Sequence, residues 1–232
     1  MQLKTVINTV LLVGMSMSYL YANAAPVATP ISAEQQHANY MLEEEKLARD
    51  LYVTLGQKWA LMPFKNIPNS EQMHIDSMKQ LIKGYLKQNP VINETVGKFN
   101  NPDLQALYDQ LLVQGLKSPQ QALQVGGLVE ETDIADLQKA LAATQDPQSR
   151  QIYEQLMLGS RNHLRAFARQ LRMQGVEYKA QVLPESEVQT ILNSPQEQGN
   201  HATGQGHGMG GGMGRGMGGG MGMHRGANSP AN

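Results

Sequence analysis

Residues 70–74 read Ser70-Glu71-Gln72-Met73-His74. Helical register through them gives Ile67, Glu71, His74, Met78, Leu81 and Tyr85, an apolar row interrupted twice. Residues three apart are neighbours on a helix surface. Glu71 and His74 are therefore expected to point the same way, into the protein. A buried carboxylate is costly unless it is paired or ligates a metal. Glu-x-x-His projecting inward from a helix is the ligand pair of dinuclear carboxylate sites.

Outward from this segment the chain reads as helix. A first helix is predicted from about Ser32 to Trp59, with the stripe Met41, Glu45, Ala48, Tyr52, Leu55, Trp59. The helix carrying Glu71 is expected to begin at Pro63 or Pro68 and to end near Tyr85. Pro68 inside a helix costs about 3 kcal/mol, so the helix either starts there or kinks before Glu71. A connection from Lys87 to Pro102 follows, then a shorter helix from about Asp103 to Leu116. A third long helix starts with Ser118 as cap and Pro119 at the first helical position, and runs to about Thr144. Its stripe is Leu123, Gly127, Glu130 or Glu131, Ile134, Leu137, Leu141. Gly126 and Gly127 each cost about 1 kcal/mol against alanine, which points to a close helix approach or a kink. A fourth long helix starts with Asp146-Pro147, ends near Met173 with Gly175 beyond it, and has the stripe Ile152, Leu156, Gly159, His163, Ala166/Phe167, Gln170.

Each long helix thus offers a metal-capable group at mid-height: Glu45, then Glu71 and His74, then Glu130 or Glu131, then His163. A single acid in an apolar stripe is usually half of an ion pair. Four coincident interruptions favour one shared site. The competing reading pairs these acids with Arg49, Arg161 and Arg165, which are close in register. Tyr52 reads as core packing, with a role beside Glu45 or as an electron donor as the alternative. Asp133 is placed to orient a ligating histidine.

The two ends differ from the body. Lys4, the apolar run from Val6 to Tyr19 and Ala22-Asn23-Ala24 have the form of a cleaved export signal over residues 1–24. The run falls short of the ~20 residues a membrane span needs. This predicts a periplasmic or secreted protein without stable membrane insertion. Residues 196–232 are rich in Gly, Met and His, too poor in apolar side chains to offset their ordering entropy, and are expected to be a disordered tail. Met209, Met213, Met217, His207 and His224 are candidate ligands there, since thioethers suit Cu(I) and imidazoles suit copper. Between the ends, residues 30–195 make one domain by length.

The chain has 19 Lys+Arg against 20 Asp+Glu, and no basic patch argues for nucleic acid. It has no cysteine, so neither a disulfide nor a thiol nucleophile is available. The tail glycines precede no helix, so there is no phosphate-binding loop.

The runs Glu43-Glu44-Glu45-Lys46-Leu47-Ala48-Arg49-Asp50, Ser70-Glu71-Gln72-Met73-His74, Glu130-Glu131-Thr132-Asp133-Ile134 and Gly159-Ser160-Arg161-Asn162-His163-Leu164-Arg165-Ala166-Phe167 carry a resemblance. Together they resemble the ferritin-like family known as domain of unknown function 2202, with rubrerythrins and bacterioferritins further off. The resemblance spans about Ala33 to Met173. It implies an all-α fold, a four-helix bundle with a long crossover between helices 2 and 3. It implies Glu45, Glu71, His74, Glu131 and His163 as metal ligands, Glu131 because Glu131-Thr132-Asp133 resembles the Glu-Leu-Asp run of bacterioferritins, with Glu130 as the alternate. One position departs from the pattern. Ser160 stands three before His163, where a second Glu-x-x-His pair would have its glutamate.

The function expected from these readings is metal binding by a ferritin-like protein. The metal would be iron, mono- or dinuclear, or manganese, with copper at the tail. Any enzyme activity would be of the ferroxidase or peroxidase type, with O2 or peroxide as partner. The alternative is a protein without turnover that sequesters copper or silver on its tail, the helices serving as scaffold. A third reading is a structural bundle held by Glu–Arg pairs. Oligomeric state stays open, a homodimer included.

Overall fold

The computed structural model describes residues 32–198. The expected export signal and the expected tail beyond residue 198 lie outside the described residues; residues 196–198, placed in that tail by the sequence, are described, and Glu197 is held by Arg161 and Arg165. Within them the chain is all-helical: α1 (Ala33–Trp59), α2 (Met62–Gln80), a π-helical turn (Leu81–Tyr85), α3 (Pro102–Gly115), α4 (Pro119–Ala143), α5 (Pro147–Arg172) and α6 (Glu185–Asn193), with no strand among the described residues.

Local chemistry sets the helix starts. Ser32 caps α1 with a full capping box, its hydroxyl accepting from the Gln35 N–H while the Gln35 side chain accepts from the Ser32 N–H. Asn101, Ser118 and Asp146 cap α3, α4 and α5, and a proline follows each at the first helical position, where its missing N–H costs nothing. α2 does not start at Pro68. It runs unbroken from Met62 with Pro68 inside it. A proline there frees the carbonyl four residues back, that of Phe64. The freed carbonyl faces Gly56 of α1, where an added Cβ would lie 3.1 Å from the Phe64 oxygen. The proline turn thus lies against a close contact between α1 and α2.

Packing joins α1 to α2, α4 to α5, α1 to α4 and α2 to α5, with α3 against α1 and α4. The core between them holds Met41, Leu51, Tyr52, Ile75, Met78, Leu123, Leu137, Leu164 and Phe167, all fully buried. The Gly126-Gly127 pair is a close approach rather than a kink. A Cβ at Gly126 would collide with the Phe167 ring of α5, and one at Gly127 with the Tyr178 ring.

Three consecutive glutamates on α1 are all buried, because α1 is covered on every side over this turn. About 100° of helical rotation separates each from the next, so they serve different neighbours. Glu43 accepts from the N–H groups of Asn100 and Asn101, 2.7 and 2.8 Å away. Lys46, also fully buried, pairs with Asp50 and donates to the carbonyls of Thr95 and Lys98. These contacts tether the connection leading into α3. Glu44 faces α4, and Glu45 faces the interior of the helical core, where His74 meets it.

Candidate metal centre

Glu71 sits between two histidines, one from its own helix and one from α5. Its Oε2 lies 2.9 Å from Nδ1 of His74, and its Oε1 lies 2.9 Å from Nδ1 of His163. Each imidazole nitrogen meets a second carboxylate. His74 Nδ1 is 3.1 Å from Glu45 Oε2, and His163 Nδ1 is 3.5 Å from Glu130 Oε2. The result is two triads, Glu45–Glu71–His74 and Glu71–Glu130–His163. The ligand atoms of each lie within 4.8 Å of one another, and all five residues are buried. The two rings stack at 28° with centroids 5.6 Å apart.

Several of these atoms are left without hydrogen bonds. Among the described residues, Glu45 Oε1, Glu71 Oε1 and His163 Nδ1 find no hydrogen-bond partner. Glu71 Oε1 and His163 Nδ1 are close but not aligned as donor and acceptor. Buried polar atoms in native proteins are rarely left so. Oxygen and imidazole nitrogen converging on common points is the donor set of iron, manganese or zinc, so the residues fit a metal.

Electrostatics say the same. Burial would push the Glu71 carboxyl up, but the facing His163 and His74 outweigh it and hold it below the usual carboxylate range. Burial would push His163 down, but Glu71 and Glu130 outweigh it and raise it to about 10. His74 is raised in the same way by Glu45 and Glu71. Burial, with the Glu71 charge added, raises Glu130 to about 7. Three carboxylates packed this closely call for positive charge among them, and protons or metal cations can supply it.

The surrounding residues orient the ligands. Nε2 of His163 is 3.0 Å from the Ser70 hydroxyl. With Nδ1 turned to the carboxylates, Nε2–H donates to Ser70, which fixes tautomer and ring angle. Tyr52 packs on Phe64 and Phe167, the core role expected of it, and its hydroxyl donates to Glu130 Oε1 at 2.6 Å rather than sitting against Glu45. Gln72 accepts from Arg49, and Met73 is exposed. Residues 70–74 thus supply two candidate ligands, Glu71 and His74, and one hydroxyl that orients His163.

Residues 34–195 match the family described as an uncharacterized protein domain, DUF2202. The chain belongs to the DUF2202 family. It is 46% identical over 171 residues to the uncharacterized protein MJ0754 of Methanocaldococcus jannaschii, covering 73% of this chain and 92% of the relative. The crystal structure of hypothetical protein MJ0754 from Methanococcus jannaschii superposes with a TM-score of 0.69 at 44% identity, covering 75% of this chain and 100% of that one.

Within this DUF2202 chain the structure brings together Glu45, Glu71, His74 and His163. It does not bring in Glu131. The carboxylate from α4 in the cluster is Glu130, the alternate. Adjacent residues on a helix point about 100° apart, and Glu131 points at the segment after α5. There it accepts from the Tyr178 hydroxyl and from the N–H groups of Gln181, Val182 and Leu183. Asp133 also differs from expectation: it binds the Ser160 hydroxyl, not a histidine. The arginines expected to compete are engaged elsewhere, Arg49 with Asp50 and Gln72, Arg161 and Arg165 with Glu197. Among the described residues no lysine or arginine pairs with Glu45, Glu71 or Glu130. Buried carboxylates without an arginine argue against a purely structural set of ion pairs. Also among the described residues, no helix is long and apolar enough to cross a membrane.

Proposed function

We propose that this protein is a ferritin-like four-helix bundle holding a dinuclear iron or manganese centre, and that it oxidises Fe(II) or reduces peroxide there. In this reading α1, α2, α4 and α5 are the four long helices, and α3 lies in a crossover between the second and third. The observation that carries it is the position of Glu71, whose two oxygens face two different histidines, each backed by its own second carboxylate. Di-iron bundles draw four glutamates and two histidines from their helices; the cluster here supplies three glutamates and two histidines, with Ser160 standing where the fourth glutamate would be.

Iron bound here would supply one-electron redox chemistry toward O2 or peroxide. The chain's own residues do the rest. Glu45 and Glu130 add negative charge, which favours the higher oxidation state. Tyr52 holds Glu130 in place from one side, and Ser70 holds His163 from the other. The apolar shell of Leu51, Met78, Leu164 and Phe167 keeps water from the interior. Residues 1–24 support export, which puts the proposed site of action in the periplasm or outside the cell.

The test is Fe(II) oxidation by untagged protein, followed after O2 or peroxide is added to the anaerobically loaded chain. The expected result is oxidation of about two Fe(II) per chain, lost in Glu71→Ala and His74→Ala and retained when residues 199–232 are deleted. Oxidation no faster than in those two variants would overturn the reading. If all bound metal leaves with the tail, the sequestration alternative takes its place.

A further inference from the structure

A file of acids leads away from the centre between α1 and α4. On α4, Glu130, Asp133 and Asp136 recur every third residue and so share one face. On α1, Glu45, Glu44 and His37 lie opposite. α1 and α4 pack on each other here, and Asp133 lies within electrostatic reach of Glu45, Glu44 and Glu130, as Asp136 does of Glu44 and His37. Glu44 and Asp133 are 4% and 6% exposed. Neither oxygen of Glu44 meets a hydrogen-bond donor among the described residues, and neither does Oδ1 of Asp133.

The file ends at a cavity of about 630 Å³ lined by His37, Lys139, Ala143, Thr144, Asp146 and Tyr153. His37 Nε2 and the Tyr153 hydroxyl reach no hydrogen-bond partner among the described residues either. Lys139, 73% exposed, sits on Asp136 at 2.6 Å and is the cation nearest the mouth. From His37 to Glu45 is eight residues of helix, about 12 Å. That spans the distance from the cavity to the centre.

Unpaired buried carboxylates cost several kcal/mol and are poor structural devices. They suit brief contact with a cation that must not be held. We infer that divalent metal ions enter from this cavity and pass along Asp136, Glu44 and Asp133 to the Glu45–Glu71–Glu130 centre. Lys139 is the exchangeable counter-ion at the mouth, displaced as a divalent ion takes Asp136. This rests on the proposed centre, but it assigns separate residues and a separate observable, the rate of loading.

The experiment mixes the full-length metal-free chain with Co²⁺ and follows the cobalt absorption bands over time. Glu71→Ala/His74→Ala identifies any signal arising outside the centre. The variants are Glu44→Gln/Asp136→Asn, which removes charge at constant shape, and Ala143→Phe, which narrows the cavity without touching an acid. Like-charged clefts raise on-rates by about 10- to 1000-fold, so both variants should load at least about tenfold more slowly than wild type and reach the same final absorbance. Loading at the wild-type rate in both would overturn the route. Absence of any centre-dependent cobalt signal in wild type would instead overturn the centre itself. Should the double variant fold poorly, Ala143→Phe alone decides.

Discussion

His74 packs directly on the backbone of Gly159. A Cβ built at position 159 would lie 2.5 Å from Nε2 of His74 and 2.6 Å from its Cε1. The imidazole from α2 can reach Glu45 and Glu71 only because α5 has no side chain at this turn.

Gly159→Ala therefore sets two effects against each other. Alanine in a helix interior is worth roughly 0.5–1 kcal/mol over glycine. The clash, however, pushes a ligand off its carboxylates. Disturbing the support of a metal ligand costs about 10- to 100-fold in affinity. The expected outcome for Gly159→Ala is a metal affinity reduced by that factor with little loss of thermal stability, measured by competition with a chelator and by calorimetry. Gly84→Ala, where nothing lies within 4 Å of the added Cβ, should leave metal affinity unchanged.

Under the proposed function, Glu130 is a ligand and Glu131 a structural carboxylate one residue away. Glu131→Gln should leave metal content intact while loosening residues 178–183, since the amide cannot accept from all three N–H groups and the Tyr178 hydroxyl. Leaving buried donors unmet costs about 1–3 kcal/mol. Denaturant unfolding and hydrogen exchange at residues 181–183 check this. Glu130→Gln should do the reverse, lowering metal affinity with the exchange of that segment unchanged.

Much of this centre was legible in the sequence, for a physical reason. A ligand inside a helix must interrupt an apolar row, and Glu45, Glu71, His74 and His163 each do so. The row could not choose between Glu130 and Glu131, because both lie near the edge of the α4 stripe. What decides is the segment holding Tyr178 and Leu183, about fifty residues further on, whose N–H groups claim Glu131. The part played by Ser70 is not legible in the sequence. Its role depends on the α2–α5 packing that sets it against His163, and no periodicity within α2 reveals that. α6 escaped because nine residues hold too few turns for a clear stripe. Pro68 left the start of α2 open, and the approach of Gly56 to Phe64 resolves it.

The chain after α6 is tied to α5 by charge. Glu197 accepts from Arg161 at 2.8 Å and from Arg165 at 2.6 Å, and Arg165 also donates to the Ser194 hydroxyl. The Arg161 and Arg165 guanidiniums outweigh partial burial and pull the Glu197 carboxyl down to about 2. A folded pKa below the unfolded one means the tie contributes fully above the ordinary value of 4.5. It fades as pH falls from there toward 2. Carbon-detected NMR of the Glu197 carboxyl should show its midpoint well below 4.5. In Arg161→Ala/Arg165→Ala the midpoint should return toward that value, and residues 194–197 should become protease-sensitive at neutral pH.

The most direct measurement is anomalous X-ray diffraction from crystals of the untagged chain grown with Mn²⁺ or Fe²⁺. Two peaks should flank Glu71, one between Glu45 and His74 and the other between Glu130 and His163, and both should vanish in Glu71→Ala. Crystals with no peak at Glu71, or with Arg49 or another cation seated between the two histidines, would contradict a metal-binding role for this cluster.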